Sequence, residues 1–253
     1  PVKIITVING NASSAATIIS LSGHERRITQ NSYMLIHNIS STFWGKMHEF
    51  EDEMKNMSKL TGNLKTIYKE NSKINNDCLS LIIKDIDNAV KVIINMLSKS
   101  GKLLTCGNGG SSGDAQHIAS EFINRFELER QELPALSLNS DTATLTSIAN
   151  DYDYKKIFSK QIKAIGKKED VLMTFTTSGN SENIIEAIKA AQEKNITNIL
   201  ISGNGGGKAR DLLVKNDCEI IVPSNRTSRI QEMQLIIIHS ICECLDKFTE
   251  KND

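Results

Sequence analysis

Short apolar runs alternate with helix-like segments from Gly101 onward, and this alternation constrains the fold more than any other feature of the chain. The apolar runs have the length and composition of β-strands and lie at 102–106, 134–138, 170–176, 197–202 and 218–223. Helix-like segments separate and follow them at 112–125, 142–150, 154–165, 181–194, 206–214 and 228–248. This pattern is typical of a parallel sheet with helices on both faces, so we expect an α/β fold.

The residues before Gly101 follow a different pattern. They contain strand-like runs, a turn of small residues and long helix-prone stretches, at 2–8 and 33–37, at 9–16, and at 44–72 and 76–98. In the last stretch the apolar residues recur at helical spacing. We therefore predict two domains, a small α/β segment over 1–72 and a larger α/β domain over 76–253.

Charge and hydropathy argue against several classes of protein. The chain has 30 basic and 30 acidic residues, which argues against a protein held on nucleic acid by bulk charge. No apolar run approaches the roughly 20 residues that span a bilayer, and no signal-peptide pattern is present. The five cysteines are odd in number and form no CxxC pair, as is usual for reduced thiols. We expect a cytoplasmic protein without a nucleic-acid or membrane partner.

Two loops rich in glycine and hydroxyl side chains follow predicted strands. The first has the sequence Cys-Gly-Asn-Gly-Gly-Ser at 106–111, and the second has Thr-Thr-Ser-Gly-Asn-Ser at 176–181. Glycine allows the backbone to approach a ligand closely, and hydroxyls beside the free N–H groups of a helix start hold phosphate. Both loops fall at the carboxyl ends of strands, where α/β sheets bind their ligands. The sequence therefore predicts a phosphorylated ligand.

A second set of residues has the chemistry of a metal site. His117 and Glu121 are four residues apart and so lie on one face of the predicted helix, although such pairs are also common on solvated faces. In the last helix His239 follows an apolar run, where a histidine is more often a core residue than a ligand. Gln231 precedes it by eight residues.

Taken together, these residues supply two imidazoles, a carboxylate and an amide oxygen, which suit Zn²⁺ or a similar divalent ion. Gln231 and His239 are separated by roughly 12 Å along a straight helix and by roughly 80° around it. They must therefore flank the site or reach it from different chains. A site at a subunit interface would satisfy this spacing.

Residues 76–248 resemble the sugar isomerase (SIS) domain family, and within it the isomerases that act on sedoheptulose 7-phosphate. The resemblance is carried by the two loops and the metal-type residues, together with Asp114-Ala-Gln-His117, Arg125, Asn150-Asp151 and Arg229-Ile-Gln231-Glu232. It implies an SIS-type parallel sheet and an aldose–ketose isomerase that makes D-glycero-D-manno-heptose 7-phosphate for lipopolysaccharide or capsule. It also implies a cytoplasmic homotetramer whose active sites are shared between subunits.

The same resemblance assigns roles to individual residues. One Zn²⁺ per site would be bound by His117, Glu121, Gln231 and His239, with Glu121 and His239 as candidate base and acid. Gln231 would also contact the substrate. The phosphate and the sugar would be held by Asn108, Gly109, Gly110, Ser111, Arg125, Asn150, Asp151, Thr176, Thr177, Ser178 and Ser181. Isomerisation moves a proton between C1 and C2 through an enediol, and a carboxylate and a histidine can exchange protons near neutral pH.

Four positions depart from the family pattern, of which Thr176, where serine is usual, keeps the hydroxyl. Arg226 and Ser228 lie in a stretch where relatives commonly carry an aspartate, and Gln234 lies where relatives often carry a histidine. An alternative is a non-catalytic SIS module that binds a sugar phosphate or a protein partner. Such a module has no need for two histidines and a glutamate together.

Residues 2–72 resemble part of the proteolytic subunit of Clp protease, in which a serine at a helix start and a histidine after the next strand belong to a catalytic triad. Ser14 and His37 match those positions. The strands with the oxyanion loop and the segment that supplies the aspartate have no counterpart here, and triad chemistry needs both. We expect an inactive fragment over 1–72 rather than a serine peptidase.

Overall fold

In a computed structural model, the described part of the chain comprises residues 81–250, the backbone of four short strands before residue 36, and the single positions 66, 69 and 73. The chain divides into two compact units, Pro1–Asp77 and Cys78–Asp253. Among the described residues, no helix has the length and apolar character that crossing a membrane requires. The roles given to domains over 1–72 and 76–253 stay a prediction.

The first unit contains two pairs of parallel strands. β1 (Ile5–Ile8) pairs with β3 (Glu25–Ile28), and β2 (Asn11–Ser13) pairs with β4 (Tyr33–Leu35). β1 and β4 lie within runs predicted as strands, whereas β2 lies in the predicted turn, because small polar residues give little strand signal. Ser14 and His37 lie outside the described residues.

The second unit is built on a parallel sheet that confirms the predicted α/β fold. In the order β6-β5-β7-β8-β9, its strands are Ala135–Ser137, Leu103–Gly107, Val171–Phe175, Thr197–Ser202 and Cys218–Ile221. The helices are α1 at 81–98, α2 (Gly110–Ile123), α3 (Thr142–Asp151), α4 (Ser159–Ile165), α5 (Glu182–Glu193), α6 (Gly207–Arg210) and α7 (Thr227–Glu250).

Helices cover both faces of this sheet, as consecutive residues of β5 show. Leu104 and Cys106 belong to a buried apolar cluster that includes Ile184 and Ile188 of α5. Thr105 points to the opposite face, because side chains alternate along a strand. There its hydroxyl donates to the carbonyl of Ala115 in α2 at 2.7 Å, and α7 packs against α2 and β8.

The direction of the strand order reverses between β5 and β7. From β5 the chain moves to β6 on one side, and from β7 it moves to β8 and β9 on the other. In open α/β sheets, ligands bind in the crevice at this switch point. The loops after β5 and β7 are the two predicted phosphate loops, so the fold places both of them where a ligand is expected.

Two helix predictions are wrong in detail. The segment 154–165 is a 3₁₀ turn, Tyr154–Lys156, followed by α4, and the consecutive residues Ile157 and Phe158 between them are both buried in the core. The helix predicted over 206–214 is reduced to α6, which ends at Arg210, because the N–H groups of Leu212 and Leu213 bond three residues back, to Ala209 and Arg210, and do not continue the α-helix.

A buried ion pair fixes the segment that follows α2. The side chains of Arg130 and Asp246 are 2% and 3% exposed and lie 2.8 Å apart. Arg130 also donates to the backbone carbonyl of Glu121 at 2.8 Å, and Asp246 accepts from the backbone N–H of Leu128 at 3.0 Å. Because both charges have hydrogen-bond partners, the pair anchors the end of α2 against α7 and fixes the backbone at Glu121.

Candidate active site

The first loop turns sharply between β5 and α2. Gly109 has a φ of +56°, a left-handed conformation that favours glycine. At Gly110 a Cβ atom would overlap the side-chain amide of Gln231, so the absence of a side chain lets Gln231 reach the loop. Half-buried Asn108 exchanges two hydrogen bonds of 2.8 Å with Asn183 in α5. The first loop is thus tied to the helix that follows the second.

The second loop is held by its own backbone. Gly179 has a φ of +67°, and a Cβ atom there would overlap the carbonyl oxygen of Gly206. The Thr176 hydroxyl accepts from the N–H of Gly179, and the Ser178 hydroxyl accepts from the N–H of Asn180, both at 3.2 Å. Since these hydroxyl oxygens act as acceptors, their hydrogens stay available to a phosphate.

The start of α5 completes this loop. Ser181 immediately precedes the helix, and its hydroxyl makes no capping hydrogen bond. Thr177 and Ser178 are half-buried beside it. Helix N-termini with uncapped N–H groups favour anions, so this turn has the chemistry predicted for a phosphate site.

A buried amide joins the two loops. Gln234 of α7 is fully buried, and its Oε1 accepts from the hydroxyl of Ser111 at 3.0 Å. Its Nε2 donates to the carbonyls of Thr176 at 3.2 Å and Ile201 at 3.4 Å. The Ser111 hydroxyl therefore points at Gln234. Ser111 would bind a phosphate through its backbone N–H at the start of α2, not through its hydroxyl. The sequence identifies Gln234 only as a departure from the family pattern, because spacing does not report such a bridge.

α2 and α7 pack side by side and run in the same direction. The contacts between them advance together along both helices: Gly110 with Gln231, Ser111 with Gln234, and His117 with His239. Residues of the site therefore lie along the contact between these two helices, from the first phosphate loop to the two histidines.

His117, Glu121 and His239 form an acid–base cluster within one chain. Nε2 of His117 lies 3.1 Å from Oε1 of Glu121, and their side chains are 33% and 22% exposed. The rings of His117 and His239 meet edge to face with centroids 5.2 Å apart. The ring of Phe126 lies tilted against that of His239, with centroids 5.4 Å apart, and provides an apolar surface beside it. The structure thus brings together three of the four predicted metal-type residues.

Burial sets the protonation states around this cluster. It lowers the pKa of His239, as does the nearby His117 imidazole, while Glu121 opposes the shift. A neutral imidazole at pH 7 can accept a proton or ligate a metal. Burial also raises the pKa of Asp114 to about 6, against the attraction of His117. The Oδ2 of Asp114 is buried and has no hydrogen-bond partner in the described part of the chain.

Gln231 does not join the cluster within one chain. It packs at Gly110, seven residues before His117 and therefore about 10 Å away along α2. Across residues 81–250, no three His, Cys, Asp or Glu side chains are arranged to hold an ion. Instead, His117 is hydrogen-bonded to Glu121. Zinc binding by these four residues stays a prediction. Of the two arrangements that the sequence allows, the position of Gln231 favours ligands that reach the site from different chains.

Three predicted sugar-binding residues are exposed in the single chain. Arg125 contacts the carbonyl of Glu127 and the carboxylate of Glu129. Asn150 donates to Asp151 at 2.9 Å, at the end of α3. Their place in the site stays a prediction.

Two residues beside the site are missed by the sequence analysis. Asn183 and Tyr154 both bind the side chain of Asn108. In the sequence, Asn183 is weakly indicated as a site residue because it lies two residues after Ser181. No spacing in the sequence indicates Tyr154.

Comparisons with known proteins agree with this geometry. The SIS domain family model matches residues 68–203. The phosphoheptose isomerase of Alteromonas mediterranea is 49% identical over 66% of this chain and 84% of its own length. The chain belongs to the phosphoheptose isomerase family. Among solved structures, the family member from Neisseria gonorrhoeae has a TM-score of 0.71 at 39% identity and is matched over 74% of this chain and 99% of its own. The family member from Francisella tularensis has a TM-score of 0.72 at 35% identity, over 74% and 97%.

The amino-terminal segment has a similarity of its own. The Clp protease family model matches residues 1–92, which overlaps the start of the SIS match. The predicted resemblance is therefore confirmed and reaches beyond residue 72. The inactivity of this segment stays a prediction.

Replacing Gln234 with Met preserves most of its volume but removes every hydrogen bond it makes. We expect the free energy of unfolding to fall by about 1–3 kcal/mol, because the Ser111 hydroxyl and the Thr176 carbonyl lose buried partners. Gln116→Met on α2 is the matched control: it removes only an exposed, long hydrogen bond of 3.4 Å to the carbonyl of Asn139 and should change the free energy of unfolding by less than about 0.5 kcal/mol. Urea denaturation measures both, and equal effects would contradict the bridging role of Gln234.

Proposed function

We propose that this chain interconverts sedoheptulose 7-phosphate and D-glycero-D-manno-heptose 7-phosphate, an aldose–ketose isomerisation in heptose biosynthesis. The observation that carries this proposal is the acid–base cluster of His117, Glu121 and His239 on α2 and α7, the helix pair whose Gln234 is hydrogen-bonded to both phosphate loops. Relatives 49% and 48% identical that are named phosphoheptose isomerases support the choice of substrate. A non-catalytic binding module would need the loops but not the cluster.

The site has two ends whose separation suits a long sugar phosphate. The N–H groups at the starts of α2 and α5, with the hydroxyls of Thr176, Ser178 and Ser181, would hold the phosphate. The cluster lies about 10 Å further along α2. In a heptose 7-phosphate, C1 and C2 are at the opposite end from the phosphate. A phosphate in the loops therefore leaves the reacting carbons near Glu121 and His239.

Glu121 and His239 divide the proton transfers. From ketose to aldose, a proton leaves C1, an enediol forms, and C2 then receives a proton while O1 loses its hydrogen and O2 gains one. Glu121 is the candidate base at carbon, because its carboxylate lies in the cluster and is partly exposed, and the Arg130 contact to its backbone carbonyl fixes the end of α2 that carries it. His239, neutral because burial lowers its pKa, is suited to move protons at the oxygens.

We assign one Zn²⁺, or a similar divalent ion, to His117, Glu121 and His239, with Gln231 supplied by a second copy of the chain. The donor atoms have the right chemistry, and those of His117 and Glu121 are already neighbours. The unpartnered buried oxygen of Asp114 lies three residues before His117 and suits a carboxylate that orients a ligating histidine. When bound, the ion supplies Lewis-acid polarisation of the substrate carbonyl.

Removing the metal tests this assignment. Treatment with a chelator should abolish turnover of sedoheptulose 7-phosphate, and added Zn²⁺ should restore it, because the carbonyl loses its polarising group. Metal content measured by mass spectrometry on the same samples should follow activity at one ion per site. Full turnover in a metal-free sample would overturn the assignment.

We also propose a cytoplasmic homotetramer whose active sites are shared between subunits and whose product serves lipopolysaccharide or capsule. The position of Gln231 far from its predicted co-ligands supports sharing.

Burial raises the pKa of the Cys218 thiol to about 12, which suits an inert reduced cysteine. Residues 1–72 would be a catalytically silent Clp-like segment.

Glu121→Gln tests the catalytic role. Turnover of sedoheptulose 7-phosphate should fall by about 10²–10⁴-fold, because an amide cannot accept the carbon-bound proton. Binding of the sugar phosphate, measured by calorimetry, should survive. Glu186→Gln on the exposed side of α5 is the control and should leave turnover unchanged.

Wild-type turnover in Glu121→Gln would remove this residue from the mechanism. Binding without any conversion by metal-replete wild-type protein would favour the non-catalytic module instead.

A further inference from the structure

Asn108 in the first loop is held by a network that leaves its side chain with a single function. Its Nδ2 donates to Oδ1 of Asn183, and its Oδ1 accepts from Nδ2 of Asn183, both at 2.8 Å. Asn183 is only 3% exposed in the first turn of α5. Such a reciprocal amide pair fixes both amide planes and so determines which way Asn108 faces.

Tyr154 adds a third bond to this network. Its hydroxyl donates to Oδ1 of Asn108 at 3.2 Å from the 3₁₀ turn that packs against α5. An amide oxygen has two lone pairs, and here Asn183 and Tyr154 use both. The amide nitrogen has two hydrogens, and Asn183 takes one of them. Asn108 is therefore left with one free N–H donor and no free acceptor.

We propose that Tyr154 and Asn183 are positioning residues that make Asn108 an obligate hydrogen-bond donor to an electron-rich oxygen of the substrate. The inference rests on the proposed function, in which Asn108 lines the substrate site. A donor-only group favours a phosphate or carbonyl oxygen and gives no bond to a hydroxyl hydrogen. If that oxygen gains negative charge during the reaction, the fixed donor stabilises it without reorganisation.

Tyr154 is the more informative of the two for an experiment, because it is 60% exposed and its removal should not disturb the core. Tyr152 provides a matched control. It is also 60% exposed, but its ring lies under the Lys160 ammonium, 3.6 Å from the ring centroid, and makes no bond to Asn108.

The test measures kcat and KM for sedoheptulose 7-phosphate in Tyr154→Phe and Tyr152→Phe. We expect Tyr154→Phe to lower kcat/KM by about 3- to 10-fold, the effect of one hydrogen bond, with an unchanged Tm. Tyr152→Phe should match the wild type. Equal values for both variants would overturn the proposal.

A double-mutant cycle separates positioning from direct contact. In an Asn108→Ala background, Tyr154→Phe should have no further effect, since it acts only through the amide that is already gone. A full additional loss in the double variant would show that Tyr154 acts on the substrate itself, which contradicts the proposal.

Failure of the proposed function gives a different result. In that case wild-type protein shows no turnover, and the same variants are compared by calorimetric titration with sedoheptulose 7-phosphate. The inference then predicts weaker binding for Tyr154→Phe alone and is overturned if Tyr152→Phe weakens binding equally.

Discussion

The parallel packing of α2 against α7 is the interaction on which the candidate site depends. At the amino-terminal end of α2, Gly110 lacks the side chain that would exclude Gln231, and Gln234 bridges the two phosphate loops. Two turns further down, the same pairing sets His117 beside His239. Beyond the end of α2, the buried Arg130–Asp246 pair ties the following segment to α7, and breaking it would leave a charge buried without its partner. One helix pair thus sets the distance between phosphate loops and acid–base cluster.

Side-chain amides do much of the fine positioning around this pair. Asn183 and Gln234 each carry both a donor and an acceptor, and both are buried where they join segments far apart in the chain. Each such hydrogen bond contributes modestly to the free energy of folding, but a buried donor or acceptor without a partner is costly. Loss of one bond therefore destabilises the whole network. Side chains of both loops are therefore already oriented by these hydrogen bonds before a ligand binds.

The fold and much of the site chemistry follow from local patterns, and the remainder depends on contacts that no pattern encodes. The strands near 102–106 and 170–176 are predictable because buried parallel strands are continuous apolar runs. The pairing of His117 with Glu121 follows from helical spacing, whereas their contact with His239 depends on how α2 and α7 pack. The break after Tyr154–Lys156 arises from the burial of Ile157 and Phe158, a tertiary effect that overrides helical periodicity. The bridging by Gln234 joins segments too distant in sequence for spacing to reveal.

We propose that α2 and α7 converge on one cation beside the two phosphate loops. The most direct measurement is a crystal structure of the protein grown with Zn²⁺ and sedoheptulose 7-phosphate, with anomalous scattering recorded at the zinc edge. We expect one anomalous peak per site, within bonding distance of His117, Glu121 and His239, with the phosphate in the loops at 108–111 and 176–181. A peak elsewhere, or these three side chains directed to separate places when neighbouring subunits are included, would contradict it.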